Sequence, residues 1–135
     1  MQIQAVKEAG VKIRNSDDVV NALVDDFKTE LRELFGALYL NTKNVIVHSE
    51  IISMGSLNAS IVHPREFFKP AILNSAAAVI AVHNHPSGDP APSSDDIELT
   101  KRLTEAGEIL GIKLLDHIVL GGGGFISMKE RGLGV

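Results

Sequence analysis

The chain contains no cysteine. That excludes disulfides, thiolate zinc sites and a cysteine nucleophile. It also excludes the cytidine-deaminase kind of zinc centre, whose signature needs a P-C-x-x-C pair. Long hydrophobic runs are lacking too. The longest, Ala76–Val82, is far too short to span a bilayer. The opening stretch MQIQAVKEAGVKIRN holds no apolar core of signal-peptide length. A cytoplasmic chain without membrane contact is the expectation. There is no basic surplus: net charge is −4 and the pI about 5.7. A protein that grips nucleic acid through phosphates is usually basic, so this balance counts against that role. No internal repeat, low-complexity segment or linker is visible.

What is present suffices for one domain. The 135 residues are 44% hydrophobic and 22% charged, ordinary for a soluble globular chain. Residues 1–16 lack clear periodicity and read as an N-terminal arm, loose or forming an edge strand; residues 17–135 read as the domain. Asn15-Ser16-Asp17-Asp18 has the capping residues and early acids of a helix start, and Val20, Leu23, Val24, Phe27 and Leu31 follow at helical spacing. One amphipathic helix over 17–30 is predicted. Leu34–Leu40 and Val45–Ile52 read as a hairpin around Thr42-Lys43-Asn44, with a third extended segment within Ser53–Val62. Pro64 suits the first turn of a helix over 64–74, and Pro70 predicts a kink or an early end there. Ala76–His83 reads as a buried strand. Leu99, Leu103, Ala106 and Leu110 mark a helix stopped by Gly111, then come a strand over Lys113–Leu120, a turn at Gly121–Gly124 and a short strand Phe125–Met128. The order αββ(β)αβαββ predicts an α/β fold, a three-layer α/β/α sandwich around one mixed sheet.

The chemistry concentrates in HNHPSGDPAPSSDD, from His83 to Asp96, an H-x-H-x(7)-S-x-x-D string. Strand side chains alternate, so His83 and His85 at a strand end point the same way. The proline-rich loop between them and Asp96 is stiff, so folding it back loses few conformers. Two imidazoles and a carboxylate hold zinc and leave a fourth position for water, which is how catalytic zinc sites differ from closed ones. Amide hydrolysis further needs a general base and a donor for the oxyanion. Ser93, three residues before Asp96, is a candidate donor. Spacing nominates Glu33, Glu50, Glu66 and Asp89 as bases without choosing among them. The bland reading of Ser93 and Asp96 is a capping box, and it is compatible with the functional one. Contiguous HNH is a coincidence of letters, because HNH nucleases spread those residues over a longer unit. Asp116-His117 reads as a structural hydrogen-bonding pair that could support the site. His48 and His63 read as surface or capping groups, and the glycine run as a turn rather than a phosphate cradle.

These residues resemble the RadC family, bacterial members of the JAMM/MPN+ metalloprotease superfamily. The resemblance runs from about Asp18 to Gly132. It rests on Arg32-Glu33-Leu34-Phe35, Leu40–Asn44, His63-Pro64-Arg65-Glu66, Ala81–Pro90, Ser93, Asp96, Leu114–His117 and Glu130-Arg131-Gly132. It implies the deaminase-like sandwich of the MPN domain, with His83, His85 and Asp96 on zinc, Ser93 as oxyanion donor and Glu33 as catalytic glutamate. It further implies a peptide or protein substrate cleaved at a peptide or isopeptide bond. Many members carry an N-terminal helix-hairpin-helix region that could contact DNA. Too few residues precede the match to hold one, which counts against DNA contact by this chain. An interaction module of a DNA repair complex, with a structural or vestigial metal, is the competing expectation. A metal-dependent nuclease is a third, and the acidic balance opposes it.

Overall fold

The computed structural model describes residues 4–55 and 62–135. Five strands form one mixed sheet in the order β2-β1-β3-β4-β5: β1 Glu33–Leu40, β2 Ile46–Gly55, β3 Ala78–Asn84, β4 Lys113–Gly121 and β5 Gly124–Ser127. The β1–β2, β1–β3 and β4–β5 pairs are antiparallel, while β3 and β4 are parallel. A parallel pair needs a crossover, and helix α4, Ser94–Leu110, supplies it.

The period-two alternation of the central strands builds a core on each face. Leu34, Leu38, Leu40, Ile80 and Val82 pack against α1 (Ser16–Ala22) and α2 (Asp25–Thr29). Phe35, Ala37, Tyr39, Val79 and Ala81 face α3 (Pro64–Leu73) and α4 through Phe67, Phe68, Ala71 and Leu103. The result is the expected α/β/α sandwich. His83 continues the 79–81 series onto the α4 side, and Asn84 continues the 80–82 series onto the other. That parity decides what each can reach.

The structure departs from the sequence reading in three elements. The predicted helix over 17–30 is two helices, because Leu23 and Val24 are extended. The arm takes their hydrogen bonds: the Val24 N–H donates to Ala5 O at 2.9 Å, and Leu23 bridges Val6. A partner strand and full burial of Leu23 outweigh local helical preference. The arm itself buries Ala5, Val6 and Ile13, and its Gly10 N–H donates to Ile46 O. Helix α3 does not end at Pro70 but runs to Leu73. The carbonyl that loses its helical partner at Pro70 belongs to Glu66, an exposed residue, while Pro70 itself is buried. Strand β2 extends to Gly55, past the predicted end at Ile52; the rest of the predicted third segment, 56–61, lies outside the described residues. Gly111 caps α4 in the left-handed conformation, as its position predicts.

Candidate metal centre

Three elements converge at one end of the sheet. Strand β3 ends on His83 and Asn84, and His85 follows directly. Phe35 pairs with His83 across the β1–β3 ladder, so Glu33 stands two residues further on, at the start of β1. Helix α4 begins beside them. Its Ser93 side chain accepts from the Asp96 N–H at 3.0 Å, and Asp96 Oδ2 accepts from the Ser93 N–H at 2.8 Å. This reciprocal capping box fixes the helix start that presents Asp96.

The side chains meet in a chain of short contacts. His83 presents Nε2 to Glu33 Oε1 at 2.5 Å and Nδ1 to Asp96 Oδ1 at 3.4 Å. His85 Nε2 lies 3.1 Å from Asp96 Oδ2, and its Nδ1 donates to the Asp89 carbonyl at 2.9 Å. Glu33, His83 and His85 each offer a ligand atom within 4.8 Å of the others. Asp96 closes the ring through its contacts with both imidazoles. The structure thus brings together Glu33, His83, His85, Asp96 and Ser93. It places Glu50 mid-strand opposite Ala37, bonded to His48, and Glu66 on the exposed face of α3 beside Arg65. Asp89 serves through its backbone, with its carboxylate turned to the Ala91 N–H.

The donor set fits a divalent ion. His83 Nδ1 is buried and has no hydrogen-bond partner among the described residues. In the His83 tautomer that donates Nε2–H to Glu33, the lone pairs of His83 Nδ1 and Asp96 Oδ1 oppose each other, and a cation between them would turn that repulsion into attraction. Atoms bound to one tetrahedral ion at about 2.0 Å stand about 3.3 Å apart, close to the 3.1 and 3.4 Å found here. Burial holds His83 below the usual imidazole range, despite the upward pull of Asp96 and Glu33, so it stays in the neutral, ligating form. His85 is raised, first by its hydrogen bond to Asp96. Burial alone would raise the Asp96 carboxyl. Hydrogen bonds from His85 and the Ser93 backbone, with His83 nearby, outweigh it and hold Asp96 well below its usual value.

A second tier supports this one. His117 on β4 is fully buried and pushed down to about 3 by that burial, with His83 adding to the effect. Its Nδ1 and the Thr100 hydroxyl lie 2.7 Å apart, and Thr100 donates to the Asp96 carbonyl at 2.7 Å. The His85 N–H donates to Leu120 O, tying the site to β4. The sequence reading names neither Thr100 nor the Asp89 carbonyl. Thr100 carried a signal, standing one helical turn after Asp96; a backbone carbonyl carries none.

An α/β/α sandwich with two histidines and two carboxylates clustered at a strand end defines a candidate metal-binding domain of the JAB kind. A model of the RadC-like JAB domain matches residues 13–133, and the chain belongs to that family. It is 56% identical over 120 residues to a UPF0758 protein of Geobacillus sp. (strain WCH70), covering 89% of this chain and 53% of that protein. It is 57% identical over 126 residues to one from Desulforamulus reducens, covering 93% and 56%. A UPF0758 protein of Methanococcoides burtonii is 54% identical over 121 residues, covering 90% of this chain and 53% of that protein. The chain thus spans about half the length of these curated relatives.

Proposed function

We propose that this domain is a JAMM-type zinc metallopeptidase that hydrolyses a peptide or isopeptide bond in a peptide or protein substrate. The observation that carries the reading is the meeting of Glu33, His83, His85 and Asp96, with the Ser93 hydroxyl at the same helix start. His83, His85 and Asp96 would hold the ion, giving two neutral nitrogens and one negative oxygen ligand. When bound, zinc supplies Lewis acidity and makes hydroxide available near neutral pH. Glu33 accepts a proton from the attacking water at its carboxylate and delivers it to the leaving nitrogen. Ser93 accepts from the Asp96 N–H, so its own O–H is free to donate to the developing oxyanion. The Asp89 carbonyl fixes the His85 ring by holding its Nδ1 proton.

No helix among the described residues is long and apolar enough to cross a membrane. Purified protein is expected to hold about one zinc per chain. Peptide and isopeptide libraries incubated with it should be cleaved, and Glu33→Gln should abolish cleavage while zinc stays bound. Full hydrolysis in excess chelator, after time for exchange, would sink the reading.

A further inference from the structure

Asn84 lies between the two histidines, with its side chain on the opposite face of β3. It is 2% exposed. The β1–β3 ladder stops at Phe35 and His83, so no backbone bond from β3 reaches residues 30–34. The Asn84 amide takes over there. Its Oδ1 accepts from the Leu34 N–H at 2.5 Å, and its Nδ2 donates to the Arg32 and Glu30 carbonyls, both at 3.0 Å. Arg32 and Leu34 flank Glu33, so the peptide groups on both sides of it are clamped. Those groups fix the direction of the Glu33 Cα–Cβ bond.

We infer that Asn84 is the positioning residue for Glu33, a side-chain splice that holds the glutamate's backbone to the strand presenting His83 and His85. The role demands an amide. One acceptor and two donors are needed at a single planar group, and only asparagine or glutamine offers them. Glutamine is one methylene longer and would push into a buried space. Aspartate can accept from Leu34 but sets its charge against two carbonyl lone pairs. The strand therefore does two jobs by parity: odd positions face the ion, and the even position between them holds the proton-transfer group. The role of Glu33 as a base rests on the function proposed above; the clamp does not.

The test is made on the metal-free chain by NMR of imidazole N–H protons. The wild-type His83 Nε2–H, bonded to the Glu33 carboxylate, should give a downfield, exchange-protected signal that Glu33→Ala removes. Asn84→Ala is expected to lose that signal, or broaden it beyond detection, while the Leu103 and Phe68 core resonances stay at their wild-type positions. A residue with only a general structural role would lower the unfolding temperature and leave the signal intact. Asn84→Ser, which keeps one acceptor for Leu34, is read in the same way if the alanine variant does not fold. A wild-type signal in a folded Asn84 variant overturns the inference. Zinc content separates the two claims: a wild-type chain that takes up no zinc removes the proposed peptidase, while the imidazole signal still decides the clamp.

Discussion

The two histidines of the centre are two residues apart, one near the end of strand β3 and one just past it, yet they live in different solvents. The His83 side chain is 1% exposed, backed by Phe35 and His117, and burial keeps it neutral. The His85 side chain is 14% exposed, sits on the loop side, and is drawn toward its charged form by Asp96. One wall of the site is dry and built from strands. The other is wetter and built from a loop and a helix start. The difference teaches where precision is needed. The dry wall sets the position of Glu33 through β1 and Asn84, and the wetter wall offers the charge and the access.

The sharpest way to break this comparison is to remove one carboxylate from each wall. Glu33, His83 and His85 offer ligand atoms within 4.8 Å of one another, whereas the proposed ion uses Asp96 in place of Glu33. Asp96→Ala should cut zinc affinity by at least about 100-fold, since a charged ligand is lost outright. Glu33→Gln should leave it within a few-fold of wild type. Chelator-competition titrations read both. The reverse result would hand the ligand role to Glu33.

Backbone contacts of the loop wall give the next largest effect. Gly122 has φ +56°, and a Cβ there would stand 2.5 Å from the Gly88 carbonyl oxygen. Gly123 also has positive φ, but a Cβ there would meet nothing within 4 Å. Gly123→Ala should therefore cost only the left-handed conformation, about 1 kcal/mol. Gly122→Ala should cost about 3 kcal/mol in urea unfolding, because strain adds to a backbone clash. It should also displace the 85–93 loop. Equal costs would show that the glycine hairpin does not brace the loop.

This contrast marks what the sequence could show. Strand parity at His83 and His85 and the capping box at Ser93 are local patterns, so they were legible. The fold class was legible for the same reason, from alternating periodicities. The break at Leu23 was not, because the arm that causes it pairs from seventeen residues upstream. Asn84 was not either: its partners lie fifty to fifty-four residues away, and nothing near it in the chain announces them. Spacing alone could not choose Glu33 over Glu50 and Glu66; the family resemblance named it, and the pairing of Phe35 with His83 is what sets it beside that imidazole in the folded sheet.

Titration sharpens the comparison further. His117 shares the dry wall and is held near 3, below the ordinary imidazole value of 6.5. The unfolded chain therefore binds more protons than the folded one between these two values. Stability from this group is present above about pH 6.5 and falls as pH drops toward 3, by up to about 1.4 kcal/mol per unit. His117→Gln should flatten that slope in denaturant titrations. His85 has the opposite sign. Its raised value means its contribution is full below 6.5 and is lost as pH rises through the folded value. Zinc must displace the Nε2 proton of His85, so zinc affinity should weaken with acid from above pH 6.5 downward. A midpoint below 6.5 would contradict the Asp96 contact.

The smallest effect separates two roles of one hydroxyl. Ser93→Ala removes the acceptor for the Asp96 N–H and should cost about 1 kcal/mol, or about 4 °C in the melting temperature. Zinc content should hold, because the Ser93 backbone N–H still donates to Asp96 Oδ2. Ser93→Asn restores a cap without restoring a hydroxyl, since asparagine is as good an N-cap as serine. If Ser93 only caps, the asparagine variant recovers both stability and hydrolysis. If its O–H also steadies the oxyanion, stability returns and hydrolysis does not, with a loss in kcat of about 100-fold or more. The cap then belongs to the helix and the hydroxyl to the reaction, two uses of one oxygen that only this pair of variants pulls apart.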